Sequence, residues 1–193
     1  IGSTLSLLEC MRENNLFKII FSSSAQVYDN PQPLPLKENG KIGNTNNPYG
    51  NTKYIIEQIL MDLAKHDSRW SIRIARYFNP ISNHSSGLIK EDSRNIPTNL
   101  IPHIIKAARK KKFQLKIFGK NYKTKDGTCI RDYIHVMDLA NGHVAMIMNN
   151  RLKKGLKVYN FGTGKGSSVL EVVRSFEKQT KTSINFKFTK KRK

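Results

Sequence analysis

The sequence predicts an α/β fold, a doubly wound sheet with parallel strands. Short apolar runs rich in Ile and Phe alternate with longer segments whose apolar residues recur at helical spacing. Polar, proline-containing stretches separate them, as turns and loops require. Two strand-like runs end in Ser22-Ser23-Ser24 and Tyr77-Phe78-Asn79. In an open α/β sheet such carboxyl ends form the edge where ligands bind.

Taken in order, residues 3–14 place Leu5, Leu8 and Met11 on one helical face, with Ser3 or Thr4 as the cap. Residues 17–21 read as a buried strand that stops at the three serines. Residues 27–47 read as a long loop because Pro31, Pro33 and Pro35 interrupt any regular pattern. A helix follows from Pro48, with Asn47 as its cap, and then a strand over 71–78 with Ile72, Ile74 and Tyr77 in alternation. Loop composition returns over 79–97. Residues 99–111 read as a helix whose start Pro102 confines, 115–118 as a strand and 119–127 as a polar loop. Residues 136–148 read as a helix opened by Asp138, and 158–161 as a strand. Ser168 and Glu171 have capping-box spacing for a helix to about residue 178, and 184–188 is a last strand.

Composition narrows the function classes. At 193 residues the chain suffices for a domain with a sizeable core. No apolar run approaches the ~20 residues of a membrane span. Cys10 and Cys129 are isolated and outside metal-ligand spacing, which points to a reducing cytosol and no disulfide framework. Lys and Arg number 34 against 14 Asp and Glu, a net charge of +20, with clusters at 109–112 and 190–193. Such charge fits nucleic-acid phosphates, or equally a solvated lysine-rich surface with a small anionic ligand. Without a zinc-finger, RNP or OB-type signal, nucleic acid is not expected as the main partner. Residue 1 is Ile, and the basic end directly follows a strand-like segment. The chain is therefore expected to be a piece of something longer.

Tyr49 and Lys53 stand four apart on the helix that begins at Pro48, so both project from one face. A phenol beside a fixed ammonium is an acid/base unit. Bringing a free phenol from about 10 toward neutrality takes roughly 4 kcal/mol, which a nearby cation in a partly dry cleft can largely supply. The same spacing also fits an ordinary helix with one packed Tyr and one exposed Lys. The helix lies in sequence between the two strand ends described above, so three separated signals converge on one cleft.

Longer motifs sharpen the reading. These are Phe21-Ser22-Ser23-Ser24-Ala25-Gln26-Val27-Tyr28, Asn47-Pro48-Tyr49-Gly50 with Lys53, and Arg76-Tyr77-Phe78-Asn79-Pro80. Further along stand Gly127-Thr128 with Arg131-Asp132-Tyr133-Ile134-His135-Val136, then Asp138-Leu139-Ala140 with Gly142-His143, and Asn160-Phe161-Gly162-Thr163-Gly164. In this order, over nearly the whole chain, the sequence resembles the UDP-glucose (UDP-galactose) 4-epimerases of the extended short-chain dehydrogenase/reductases.

The resemblance implies a partial Rossmann-like sheet plus a smaller C-terminal substrate-binding α/β part. Residues 1–78 would be the remaining half of an NAD-binding domain. Residues 79–193 would mostly hold the UDP-sugar, with 131–160 returning to the first sheet. It implies a cytoplasmic isomerase of galactose metabolism, usually a homodimer, with NAD as cofactor and UDP-glucose and UDP-galactose as substrates. Ser24, Tyr49 and Lys53 would be catalytic: Tyr49 the base, Lys53 its electrostatic partner and ribose ligand, Ser24 a hydrogen-bonding aid to proton transfer. Ser22, Ser24, Tyr49, Lys53, Tyr77 and Phe78 would meet the cofactor. Ser24, Tyr49, Asn79, Asn99, Leu100, Lys116, Phe118 and Arg131 would meet the substrate, Lys116 through its backbone. Arg131 suits a diphosphate because its planar fork bonds two oxygens at once. It could equally be a surface arginine paired with Asp132, and Ser24 could be a turn-forming serine.

The related 4,6-dehydratases carry an Asp-Glu pair where this chain has Ala25 and Gln26, which favours epimerisation. Other positions depart from the family. No Gly-x-x-Gly-x-x-Gly turn for the NAD pyrophosphate precedes Ile1, leaving about three βαβ units of ~30 residues unaccounted for. Gly162-Thr163-Gly164-Lys165-Gly166 has the wrong spacing to replace it. The family's last nucleotide-binding segment lies past Lys193, and Asn30, Lys90 and Thr98 stand where other residues are expected. The alternative is therefore an inactive truncated homologue, a sugar-nucleotide-binding remnant, or a basic binding protein on the same scaffold.

Overall fold

A computed structural model describes residues 1–89, 99–110, 112–148 and 154–191. In chain order the elements are α1 (Gly2–Glu13), β1 (Lys18–Ser24), α2 (Pro48–His66), β2 (Ser71–Tyr77), β3 (Asn79–Ile81), α3 (Leu100–Arg109) and β4 (Leu115–Phe118). They continue with β5 (Ile130–His135), α4 (Val136–Met148), β6 (Gly155–Phe161), β7 (Gly166–Ser168), α5 (Val169–Thr180) and β8 (Phe186–Thr189). Lys90, Thr98 and the basic residues Lys111, Arg192 and Lys193 lie outside the described residues. The chain divides into two units, residues 1–78 with 138–162, and 79–137 with 163–193.

The first unit is the doubly wound part. Its sheet runs β1-β2-β6, all parallel, in the manner of a Rossmann-like fold. β2 is central, and Ser71 to Arg76 are all buried. Leu8 of α1 and Ile56 and Leu60 of α2 pack with Trp70, Ile72 and Ile74, and Phe17 meets Trp70 edge-on at 5.5 Å. β1 departs from the sequence reading. Ile19, Ile20 and Phe21 are only half-buried, and the strand runs on through all three serines, with Ser23 and Ser24 the buried pair. Ladder pairing with Arg76 and Tyr77 keeps these polar residues in strand geometry. A short 3-10 turn, Ala25–Val27, follows at once.

The second unit holds a mixed sheet, β3-β5-β7, and a parallel pair, β4-β8. Its core is Ile104, Ala107, Leu115, Ile117, Leu170, Val173 and Ile184. Pro102 sits in the first turn of α3, where backbone N–H groups have no intrahelical partner to lose. Three strands here escape the sequence reading. β3 and β7 are three residues each, and in β5 the adjacent Arg131 and Asp132 break any apolar alternation. Pairing of β5 with β3 and β7 keeps Ile130 to His135 in this unit. The first unit resumes at Asp138.

The start of α5 is clamped twice. Ser168 Oγ accepts from Glu171 N at 3.1 Å, and Glu171 Oε2 accepts from Ser168 N at 2.8 Å. Asp126 Oδ2 accepts from the Ser168 hydroxyl, and its Oδ1 accepts from Thr128 N at 2.9 Å and Thr128 Oγ1 at 2.7 Å. The turn needs glycine at 127: its φ is +75°, and a Cβ there would lie 2.2 Å from Lys120 O. Ser168→Ala is expected to cost about 1–2 kcal/mol in urea denaturation, since it removes the cap and leaves Asp126 short of a donor. Gly127→Ala should cost more, and an unchanged midpoint for either variant would contradict the clamp.

Candidate active site

α2 begins as its sequence dictates. Asn47 Oδ1 accepts from Gly50 N at 2.8 Å, and Pro48 takes the first helical position. Gly50 is buried because the helix presses on the 3-10 turn: a Cβ there would be 2.9 Å from Gln26 O. From this anchored start, Tyr49, Lys53 and Glu57 recur every four residues along one stripe. The first two face the carboxyl end of β1. The third is fully buried.

Lys53 Nζ donates to Ser22 O at 2.8 Å. It lies 5.0 Å from the centre of the Phe21 ring and 5.7 Å from that of Tyr49. Burial pulls the Lys53 ammonium below its ordinary 10.5. Tyr49 is 54% exposed, and its hydroxyl has no hydrogen-bond partner among the described residues. Ser24 is buried; its Oγ accepts from Gln26 N at 3.2 Å and donates to no group among the described residues. Tyr77 Oη lies 2.6 Å from Ser22 Oγ and 2.7 Å from His143 Nε2. Burial pushes the Tyr77 phenol up, the Ser22 hydrogen bond opposes this, and Tyr49 adds to the rise. Ser22, Ser24, Tyr49, Lys53 and Tyr77 thus gather where β1 and β2 end. Half-buried Phe78 follows directly, its N–H bonded to Phe161 O at 3.0 Å.

Beneath this cluster lies a buried ion pair that sequence reasoning passed over. Arg76 Nη2 donates to Glu57 Oε2 at 2.6 Å, and Arg76 Nε reaches Oε1 and Oε2 at 3.1 and 3.2 Å. Ser23 Oγ donates to Glu57 Oε1 at 2.5 Å. The two charged side chains are 1% and 0% exposed. Burial works against the Arg76 charge, but Glu57 outweighs it, so the guanidinium stays firmly protonated. Its remaining Nη1 donates to Glu38 O at 3.0 Å, and its face covers the Tyr28 ring at 4.7 Å. Asn160 completes the network by accepting from Tyr28 Oη at 2.6 Å and donating to Leu36 O at 3.0 Å. The available signal was an arginine inside an apolar strand and a glutamate continuing the Tyr49–Lys53 stripe.

The other expected ligands lie in the second unit. Asn79 opens β3 opposite Tyr133, two residues from Arg131 on β5. Arg131 is exposed and donates to Ile130 O at 2.9 Å. It is not tied up by Asp132, whose carboxylate accepts from Thr163 N, Thr163 Oγ1 and Gly164 N at 2.7–2.8 Å. Asn99 precedes α3 and Leu100 is its first residue, while exposed Lys116 and Phe118 share the outer face of β4. Asn79 and Arg131 thus share one sheet, and Lys116 and Phe118 the other.

Residues 1–162 match the family model of the NAD dependent epimerase/dehydratase family. The chain is 46% identical over 192 residues to the UDP-glucose 4-epimerase of Haemophilus influenzae, covering 100% of this chain and 57% of that protein. For the human UDP-glucose 4-epimerase the identity is 44%, covering 100% of this chain and 55% of that protein. The crystal structure of the Bifidobacterium longum UDP-glucose 4-epimerase with NAD+ and UDP superposes with a TM-score of 0.92 at 48% identity. That superposition covers 98% of this chain and 56% of the other. The chain thus spans little more than half the length of these relatives.

Desolvation of Lys53 has a measurable sign. Its folded value lies below 10.5, so the ammonium is lost at a lower pH than in the unfolded chain, and stability rises with pH through that window. Competitive acylation across pH, read by mass spectrometry, should give Lys53 an earlier midpoint in the folded chain than in the urea-unfolded chain. A folded midpoint equal to or above the unfolded one would contradict the half-buried placement.

Proposed function

Because the chain belongs to the NAD dependent epimerase/dehydratase family, we propose that it is the catalytic part of a UDP-hexose 4-epimerase. It interconverts UDP-glucose and UDP-galactose through a 4-keto sugar, with NAD as cofactor. The observation that carries this reading is the meeting of Tyr49, Lys53 and the β1 serines at one sheet edge. The substrate class is supported by relatives 44–46% identical over the whole chain that are UDP-glucose 4-epimerases. Ala25 and Gln26 carry no acid for the elimination of a dehydratase.

NAD, when bound, takes up and returns the hydride at C4. Lys53, a donor held at Ser22 O and still partly exposed, fits a ribose hydroxyl. The Ser22 and Tyr77 hydroxyls add polar lining on the same side, and Phe78 lies next to them. Tyr49, the exposed phenol, removes the O4 proton, holds it while the sugar is a ketone, and returns it. The Lys53 cation favours the phenolate that takes up that proton and is regenerated when it is returned. Ser24, whose hydroxyl proton is uncommitted among the described residues, donates to the reacting oxygen and steadies its charge. Asn79, Asn99, Leu100, Lys116, Phe118 and Arg131 of the second unit take the UDP moiety, with Arg131 on the diphosphate. Residues 1–78 belong to the NAD-binding part and most of 79–193 to the UDP-sugar part. The protein acts in the cytoplasm, in galactose metabolism, as a homodimer. Small anionic ligands rather than nucleic acid are its partners. No described helix is long and apolar enough to cross a membrane.

The test is a chimera in which the remaining 43% of the Haemophilus influenzae relative is joined to this chain. It should invert C4 of UDP-galactose. Tyr49→Phe should lower turnover by about 10²-fold or more while UDP binding survives; normal turnover in that variant would overturn the role of Tyr49. The 193-residue polypeptide alone should purify free of NAD, and the chimera should carry it. Equal NAD in both would show that the joined segment is not needed to hold it.

A further inference from the structure

His143 lies beside the reacting groups, on α4, and has no part in the chemistry above. Its Nδ1 is 3.0 Å from Leu139 O and its Nε2 is 2.7 Å from Tyr77 Oη. A carbonyl oxygen only accepts, so the ring proton must sit on Nδ1. Nε2 then offers a lone pair, and the Tyr77 hydroxyl must donate to it. With its proton spent, Tyr77 Oη can only accept, so Ser22 Oγ, 2.6 Å away, must be the donor in that contact. Direction therefore runs one way: Ser22 to Tyr77, Tyr77 to His143, His143 to Leu139.

The packing around the ring is built for this. His143 meets Tyr77 edge-on at 5.5 Å and Phe161 at 5.4 Å. Gly142 lets the helix approach, because a Cβ there would lie 2.0 Å from the Phe161 ring. Two phenols stand in this cleft, Tyr49 and Tyr77, and the reaction needs one of them to exchange its proton. We propose that His143 is a positioning residue that locks Tyr77 as a committed hydrogen-bond donor, so that Tyr49 alone is free to serve as the base. The assignment rests on the epimerase reading for its purpose, though not for its geometry. The hydroxyl of Tyr49 has no partner among the described residues, in keeping with this division of labour.

The experiment is long-range ¹H–¹⁵N correlation NMR on the 193-residue chain labelled at histidine nitrogens, with His143 assigned by loss of its signals in His143→Gln. A pyrrole-type Nδ1 and a pyridine-type Nε2 are expected for His143 at neutral pH. In Tyr77→Phe the tautomer should persist, while the Nε2 resonance moves downfield as it loses its donor. Ser22→Ala should leave the tautomer unchanged. An Nε2-protonated ring in the parent chain, or an Nε2 shift that ignores Tyr77→Phe, would overturn the proposal. The parent-chain Nε2 shift, upfield of a free pyridine-type nitrogen when Tyr77 donates to it and equal to the free value when it does not, decides the matter even if a variant does not fold. None of these signals requires substrate, so a failure here leaves the C4 chemistry to be judged by the chimera, and the reverse.

Discussion

The site depends on a charge pair hidden from water. Glu57, Arg76 and Ser23 come from α2, β2 and β1, and each is close in sequence to a reacting group. Ser23 stands between Ser22 and Ser24, Arg76 precedes Tyr77, and Glu57 lies one turn beyond Lys53. Taking two ions out of water is expensive, and their attraction repays the cost only when geometry and hydrogen bonding are close to complete. Here both carboxylate oxygens and three guanidinium nitrogens are satisfied, the last of them by Glu38 O. An apolar trio could bind these elements as tightly, but it would not fix their register. A fork on a carboxylate tolerates little sliding, so the ends of two strands and the first turns of a helix keep one relative position.

That constraint also explains the long segment after β1. The segment from Tyr28 to Ile42 has little regular structure, yet it is held at several points by the same network. Arg76 bonds Glu38 O, Asn160 bonds Leu36 O, and Glu38 Oε1 accepts from Asn160 N at 2.9 Å. Gly43 N donates to Val27 O at 2.9 Å, closing the segment on itself. The loop is therefore a fixed rim beside α2. The second unit has its own anchor in the Asp126, Thr128 and Ser168 cluster at the start of α5.

Much of this was legible in the sequence, for identifiable reasons. Asn47-Pro48 and Ser168 with Glu171 are local capping signals, and local signals survive tertiary packing. The placing of Tyr49 and Lys53 near the serines follows from a helix start, α2, lying between two parallel strands whose carboxyl ends share one edge. The continuation of β1 through Ser22 to Ser24 was hidden because serine reads as a turn former, and only Glu57 and the β2 ladder make a buried strand of it. β5 was hidden because Arg131, Asp132 and His135 interrupt an apolar pattern. β3 and β7 are too short to carry any periodicity. Glu57 escapes a reading of the sequence, since nothing local marks a carboxylate whose partner is nineteen residues away. The positive charge resolves into exposed lysines such as Lys116, Lys120, Lys187 and Lys190, the first and third paired across β4-β8.

The most direct test of the central claim is a double-mutant cycle on the buried pair, with Glu57→Met, Arg76→Met and both together, read by urea denaturation. Each single substitution strands an unpaired charge and is expected to cost about 3–5 kcal/mol, while the double variant recovers most of that loss. Additive losses, or single variants as stable as the parent, would contradict the account that this pair holds the site together.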